Sequence, residues 1–72
     1  FCMLEDDNGN IWSGGRYGVT KYDKKSLTRY TEKEGLCNNY VLSMLEDRDG
    51  KLWFGTIDGV VRYDGKSFTH FI

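Results

Sequence analysis

A repeat of 41 positions, a hairpin signature in each copy and the want of helical periodicity predict an all-β fold. Its unit is a four-stranded antiparallel blade, and the chain holds two. The stretch Leu45-Glu46-Asp47-Arg48-Asp49-Gly50-Lys51-Leu52-Trp53-Phe54-Gly55-Thr56 carries an apolar run, a polar turn centred on Asp49-Gly50, and a second run with a tryptophan and a closing glycine. Leu4-Glu5-Asp6-Asp7-Asn8-Gly9-Asn10-Ile11-Trp12-Ser13-Gly14-Gly15 repeats that design. Asn-Gly or Asp-Gly between two runs of strand formers is the strongest short-range hairpin signal.

Moved by 41 positions, so that Trp12 falls on Trp53, the chain overlays on itself without a gap. Identities include Met3/Met44, Leu4/Leu45, Glu5/Glu46, Asp6/Asp47, Gly9/Gly50, Gly14/Gly55, Gly18/Gly59, Tyr22/Tyr63, Asp23/Asp64 and Thr28/Thr69. Other pairs keep their character, such as Ile11/Leu52, Lys21/Arg62 and Leu27/Phe68. A period of about 40–45 residues with four strand candidates lies in the range of β-propeller blades. Helical repeats of that length would need apolar residues at i, i+3, i+4 and i+7. Only the short Thr31–Asn39 stretch offers any such pattern.

The organisation that follows is a first blade over residues 1–30, a link over 31–40 and a second blade over 41–72. Phe1–Glu5 is apolar on both faces, Cys2 and Leu4 on one and Phe1 and Met3 on the other, as a strand covered on both sides would be. Asp6–Asn10 turns the chain. Ile11–Gly14 is the second strand, and Trp12 supplies a large contact between sheets. Gly15–Tyr17 turns again, with Gly18 set for a positive φ or a close approach. Val19–Tyr22 alternates, Val19 and Lys21 to one side and Thr20 and Tyr22 to the other. After Asp23–Lys25, Ser26–Tyr30 forms an outer strand whose polar residues suit an edge. The second copy predicts strands at Val41–Glu46, Lys51–Gly55, Val60–Tyr63 and Ser67–Ile72, with turns at Asp58-Gly59 and Asp64-Gly65.

Composition agrees with that reading and narrows the function. The 72 residues include no proline, nine glycines and 15% aromatics, a mixture that suits strands and tight turns. Ten basic against eleven acidic side chains give a net charge of -1, with the basic residues scattered. Neither a nucleic-acid partner nor contact with a membrane surface is expected. No apolar run nears the roughly 20 residues of a membrane helix. The chain starts at Phe1 with neither an initiator Met nor a signal peptide, which predicts a piece of a longer product.

A lone blade has two apolar faces and must cover both. Neighbouring blades of the same chain, or identical copies, are therefore the expected partners. Closed propellers hold roughly four to eight blades, so three or four copies would complete a six- or eight-bladed ring.

The pattern Leu-Glu-Asp-x-x-Gly-x-Leu/Ile-Trp-x-Gly, then Gly-Val-x-Lys/Arg-Tyr-Asp, then Lys-Ser-Phe/Leu-Thr, with Glu34-Gly35-Leu36 and Asn38-Asn39 ahead of the second copy, resembles the two-component regulator propeller repeat. The resemblance covers both copies and is closest from Asp47 to Thr56. The first copy departs from it at Ser13 and Gly15. It implies a periplasmic propeller of a bacterial signalling receptor, with a ligand-sensing role often directed at oligosaccharides. It carries over no binding residue, because the repeated motif is structural.

Candidate chemistry is sparse. Asp6, Asp7 and Asn8, and likewise Asp47 and Asp49, resemble the start of a calcium loop. The full loop needs further oxygen ligands and a distal Glu at fixed spacing, which neither copy offers, so turn chemistry is expected and no metal site. The glycine-rich Gly14–Gly18 stretch precedes no helix that could hold phosphate. His70 is the only histidine and pairs in the repeat with Arg29, which places it on an outer strand. No catalytic residue, enzymatic activity or cofactor is expected. Cys2 reads as a small core residue and Cys37 as a loop thiol, both reduced, with a disulfide between them as the alternative. Trp12, Trp53, Tyr22 and Tyr63 follow the period, which favours packing over ligand stacking. Arg16, Tyr17 and Tyr40 break the symmetry of the repeat and are the candidate ligand-binding residues.

Two other readings stay open at this point. One is a part of a propeller lyase resembling streptogramin lyase, which uses a histidine near the axis; the other is a purely structural pair of blades.

Overall fold

The structure is a computed structural model that describes residues 1–36 and 38–71. It holds eight strands: β1 (Cys2–Glu5), β2 (Ile11–Gly15), β3 (Gly18–Tyr22), β4 (Leu27–Tyr30), β5 (Val41–Glu46), β6 (Leu52–Thr56), β7 (Gly59–Tyr63) and β8 (Phe68–His70). They form two antiparallel meanders, β1-β2-β3-β4 and β5-β6-β7-β8. The expectations placed on Cys37 and Ile72 lie outside the described residues.

Side chains tied into the turns set the strand ends. Lys51 was expected to open a strand, yet its N–H is held by Asp47 Oδ1 at 2.9 Å, and β6 starts one residue later. Ser67 behaves likewise. Its N–H bonds to Asp64 Oδ1 at 2.9 Å, so β8 begins at Phe68.

Register decides which side chains share a face. Cys2, Gly14, Val19 and Tyr30 align across the first blade, as do Leu4, Trp12, Lys21 and Thr28. This is the front face. Its reverse carries Met3, Ser13, Thr20 and Arg29. In the second blade, Met44, Phe54, Val61 and His70 form the reverse, and Leu45, Trp53, Arg62 and Thr69 form the front.

The two blades pack front to back. Trp12 on the first front lies 5.9 Å from Phe54 and 6.0 Å from Tyr63 on the second reverse, measured between ring centroids. Tyr30 lies 5.3 Å from Tyr63 and 5.8 Å from Phe68. Trp12, Val19, Val41, Leu52, Phe54 and Val61 are buried there, and Leu36 from the link seals the same core. Large aromatic side chains with offset or tilted contacts dominate such a core because each removes much apolar area from water.

Phe1 and Met3 correct the expectation for the first strand. They are 65% and 75% exposed, while Cys2 and Leu4 opposite them are half-buried against the core. The strand is apolar on both sides, but only its front is covered by the second blade.

Two glycines fix the approach of the chain to itself. A Cβ at Gly14 would lie 2.8 Å from Val41 Cγ1 and 2.9 Å from Cys2 Sγ, so the missing side chain lets the second blade close on the first. Gly18 has φ of +100°, and a Cβ there would stand 2.3 Å from the Tyr30 carbonyl oxygen.

Candidate functional site

The Asp-rich turns come first, since they were the sequence's nearest approach to a metal loop. Asp6 Oδ1 accepts the N–H groups of Asn8 and Asn10, each at 2.9 Å, while Oδ2 accepts the Trp12 indole N–H at 2.8 Å. Asp47 does the same with the N–H groups of Asp49 and Lys51 and with the Trp53 indole, at 2.9, 2.9 and 2.8 Å. Each carboxylate thus closes a turn and anchors a tryptophan ring. Among the described residues no group of three or more His, Cys, Asp or Glu gathers as metal ligands would.

The titration of these groups follows from their contacts. Burial pulls the Asp6 carboxyl upward, but the Trp12 indole with the Asn10 and Asn8 amides outweighs it, and the pKa falls below 3.8. For Asp47 the Trp53 indole is the chief cause of a pKa below 3.8. Asp23 and Asp64 are lowered chiefly by the Ser26 and Ser67 amides of their own turns. Tyr30 goes the other way. Burial, then its bond to Tyr63, pushes its phenol up to about 12.

The turns and links of the blades fall at two opposite ends. The β1–β2 and β3–β4 turns lie at one. The β2–β3 turn and the 31–40 link lie at the other, joined by Gly18 N–H donating to the Asn39 carbonyl at 2.7 Å. Asn38 Nδ2 donates to Asp58 Oδ2 at 2.6 Å and ties the β6–β7 turn to the same link.

Arg16 and Tyr17 occupy the β2–β3 turn at this linked end, and Tyr17 is 73% exposed. With Arg29, Ser13, Thr20 and the turn glycines they line a cleft of about 170 Å³. Tyr40 is at the same end but outside that lining. Its ring is half-buried 5.0 Å from the Phe1 ring, and its carbonyl accepts Ile57 N–H at 3.3 Å. The structure therefore brings Arg16 and Tyr17 together and keeps Tyr40 apart from them. Arg29 joins the cleft unannounced by the sequence reading, although its place opposite Thr20 in the β3–β4 register leads there.

A second cleft, of about 210 Å³, opens between the blades at the opposite end. Asp6, Asn8, Lys21, Glu46 and Asp64 line it, with Trp12 beneath. Glu46 bridges the blades by accepting Asp7 N–H at 3.1 and 3.3 Å. His70 sits on β8, exposed, with its ring nitrogen 2.5 Å from the Gly35 carbonyl oxygen. It faces the link and neither cleft.

No curated protein matches the chain. Residues 35–58 match the family model described as the two component regulator propeller, a span that runs from the link through β5 and β6. Residues before the link repeat the same hairpin, the same Asp–Trp bond and the same register. The likeness to the two component regulator propeller thus covers residues 35–58, and the first blade shares the local architecture of that segment.

Proposed function

We propose that this blade pair is part of a ligand-sensing propeller in a bacterial two-component receptor, outside the cytoplasm, with oligosaccharides as the ligand class. It works by binding and carries out no bond-making chemistry. The family match over residues 35–58 is the observation that carries the receptor assignment.

Support for the binding surface comes from the asymmetry of the repeat. Arg16 and Tyr17 fall where the second blade has Ile57 and Asp58. An exposed tyrosine ring offers a platform for the apolar face of a sugar, and guanidinium groups donate to hydroxyls or carboxylates. Arg16, Tyr17 and Arg29 supply both around one cleft. Tyr40, backed by Phe1, adds an aromatic surface elsewhere on the same end.

Calorimetric titration of the chain with a panel of neutral and acidic oligosaccharides tests the reading. Binding should be found, and Arg16→Ala or Tyr17→Ala should weaken it by about tenfold or more, the loss of roughly one well-placed contact. A panel without a binder, or affinities indifferent to both substitutions, contradicts it.

A further inference from the structure

Five residues that line the cleft at the β2–β3 turn differ from their counterparts in the second blade, and the changes share a direction. Ser13, Thr20 and Arg29 stand where the second blade has Phe54, Val61 and His70. Phe54 and Val61 are fully buried there, in the core between the blades. Arg16 and Tyr17 replace Ile57 and Asp58. Apolar surface is thus lost at three positions, one acid is removed and two guanidinium groups are gained.

The cleft that results carries charge of one sign. Arg16, Arg29, Ser13 and Thr20 line it with Tyr17 and the turn glycines, and none of these residues is acidic. Both arginines are exposed, and neither pairs with a carboxylate among the described residues. Two like charges brought to one cleft repel, and an anion placed between them relieves that repulsion. A guanidinium is planar and always charged, and its N–H fork matches two oxygens of a carboxylate or sulfate. A neutral hydroxyl would leave both charges uncompensated.

Resting on the sensing role proposed above, we infer that this cleft selects an acidic sugar, whose carboxylate or sulfate is held by Arg16 and Arg29. Tyr17, 73% exposed, gives the sugar ring a flat apolar face to lie against. Ser13 and Thr20 supply hydroxyls that exchange hydrogen bonds with those of the sugar. At about 170 Å³ the cleft is smaller than the roughly 300–1,000 Å³ of pockets that enclose a whole ligand. It therefore admits one charged unit of a longer oligosaccharide. Because the contact is open to solvent, added salt screens it.

Calorimetric titration with matched pairs of oligosaccharides distinguishes charge from shape. Oligogalacturonides are offered beside their methyl esters, and sulfated galactose oligomers beside the desulfated chains. An acidic member should bind at least about tenfold more tightly than its neutral twin, and salt should narrow that gap. The pair that shows the gap tells whether a carboxylate or a sulfate is held. Arg16→Gln and Arg29→Gln should each weaken the acidic ligand about tenfold. The neutral twin should lose far less, since an amide still donates to hydroxyls. Lys25→Gln, at an exposed position in the β3–β4 turn of the other end, should alter neither affinity. A neutral twin that binds as tightly as its acidic form overturns the charge preference and leaves the sensing role standing. A preference that survives both arginine variants, or that falls equally with Lys25→Gln, overturns it as well. Absence of binding by every member removes the charge preference and the sensing role together.

Discussion

Asp6 Oδ2 and the Trp12 indole nitrogen stand 2.8 Å apart, so one carboxylate ties the β1–β2 turn to the largest side chain of the core. The other oxygen of that carboxylate holds the Asn8 and Asn10 amides. Removing it with Asp6→Ala strands a buried indole N–H and two turn amides. Hydrogen bonds to charged groups are worth about 1.5–3 kcal/mol, and a loss of about 2 kcal/mol is expected in urea unfolding. Asp6→Asn keeps an acceptor and should cost less. Equal losses for the two would mean that the bond does not matter.

Stability should fall at both extremes of pH. Asp6, Asp23, Asp47 and Asp64 have folded-state pKa values below 3.8. Such groups stabilise the fold above their unfolded pKa, and the contribution is lost as pH drops through the folded one. Melting temperature should hold near neutrality and decline below about pH 4. Tyr30 has the opposite sign. Its phenol is raised from 10.0 to about 12, so its contribution is intact below pH 10 and lost as pH climbs toward 12. Tyr30→Phe should flatten that alkaline limb.

Lys24 has φ of +83°, alone among the non-glycine residues described, and its counterpart is Gly65 at +97°. Left-handed backbone costs an ordinary L-residue roughly 1–2 kcal/mol, partly offset by the looser unfolded chain that glycine brings. Lys24→Gly should therefore stabilise the chain by about 0.5–1 kcal/mol, seen as a higher melting temperature. A lower one would contradict the turn geometry.

Gly18→Ala should act strongly in the other direction. The new methyl would collide with the Tyr30 carbonyl in a backbone conformation that alanine avoids. The β3–β4 ladder must open to admit it, at a cost of at least about 2 kcal/mol. Thermal unfolding of the variant measures this, and an unchanged melting temperature would refute it.

The rhythm of the strands was plain in the sequence because turn residues and alternation are local properties. Trp12 and Trp53 show where legibility ended. They are identical in type and in hairpin position, yet one is buried and the other half-buried. Place in the stack decides that difference, and no local pattern encodes it. Met3 and Leu45 were likewise apolar candidates for cover that this blade pair does not supply. The Asp–Trp bond was missed although its signal, a fixed six-residue offset in both copies, was present: Asp6 to Trp12 and Asp47 to Trp53. The neighbouring Asp and Asn residues drew attention to the turn alone. Of the candidate site, Arg16 and Tyr17 could be found by their breach of the repeat, whereas Arg29 joins them only through the pairing of β3 with β4.

The front-to-back stacking of the blades is tested most directly by a nuclear Overhauser measurement between Gly14 and Val41. A Gly14 Cβ would sit 2.8 Å from Val41 Cγ1, so the Gly14 α-protons and a Val41 methyl should give a strong cross-peak. A folded sample in which that cross-peak is missing would mean that the blades meet through other faces.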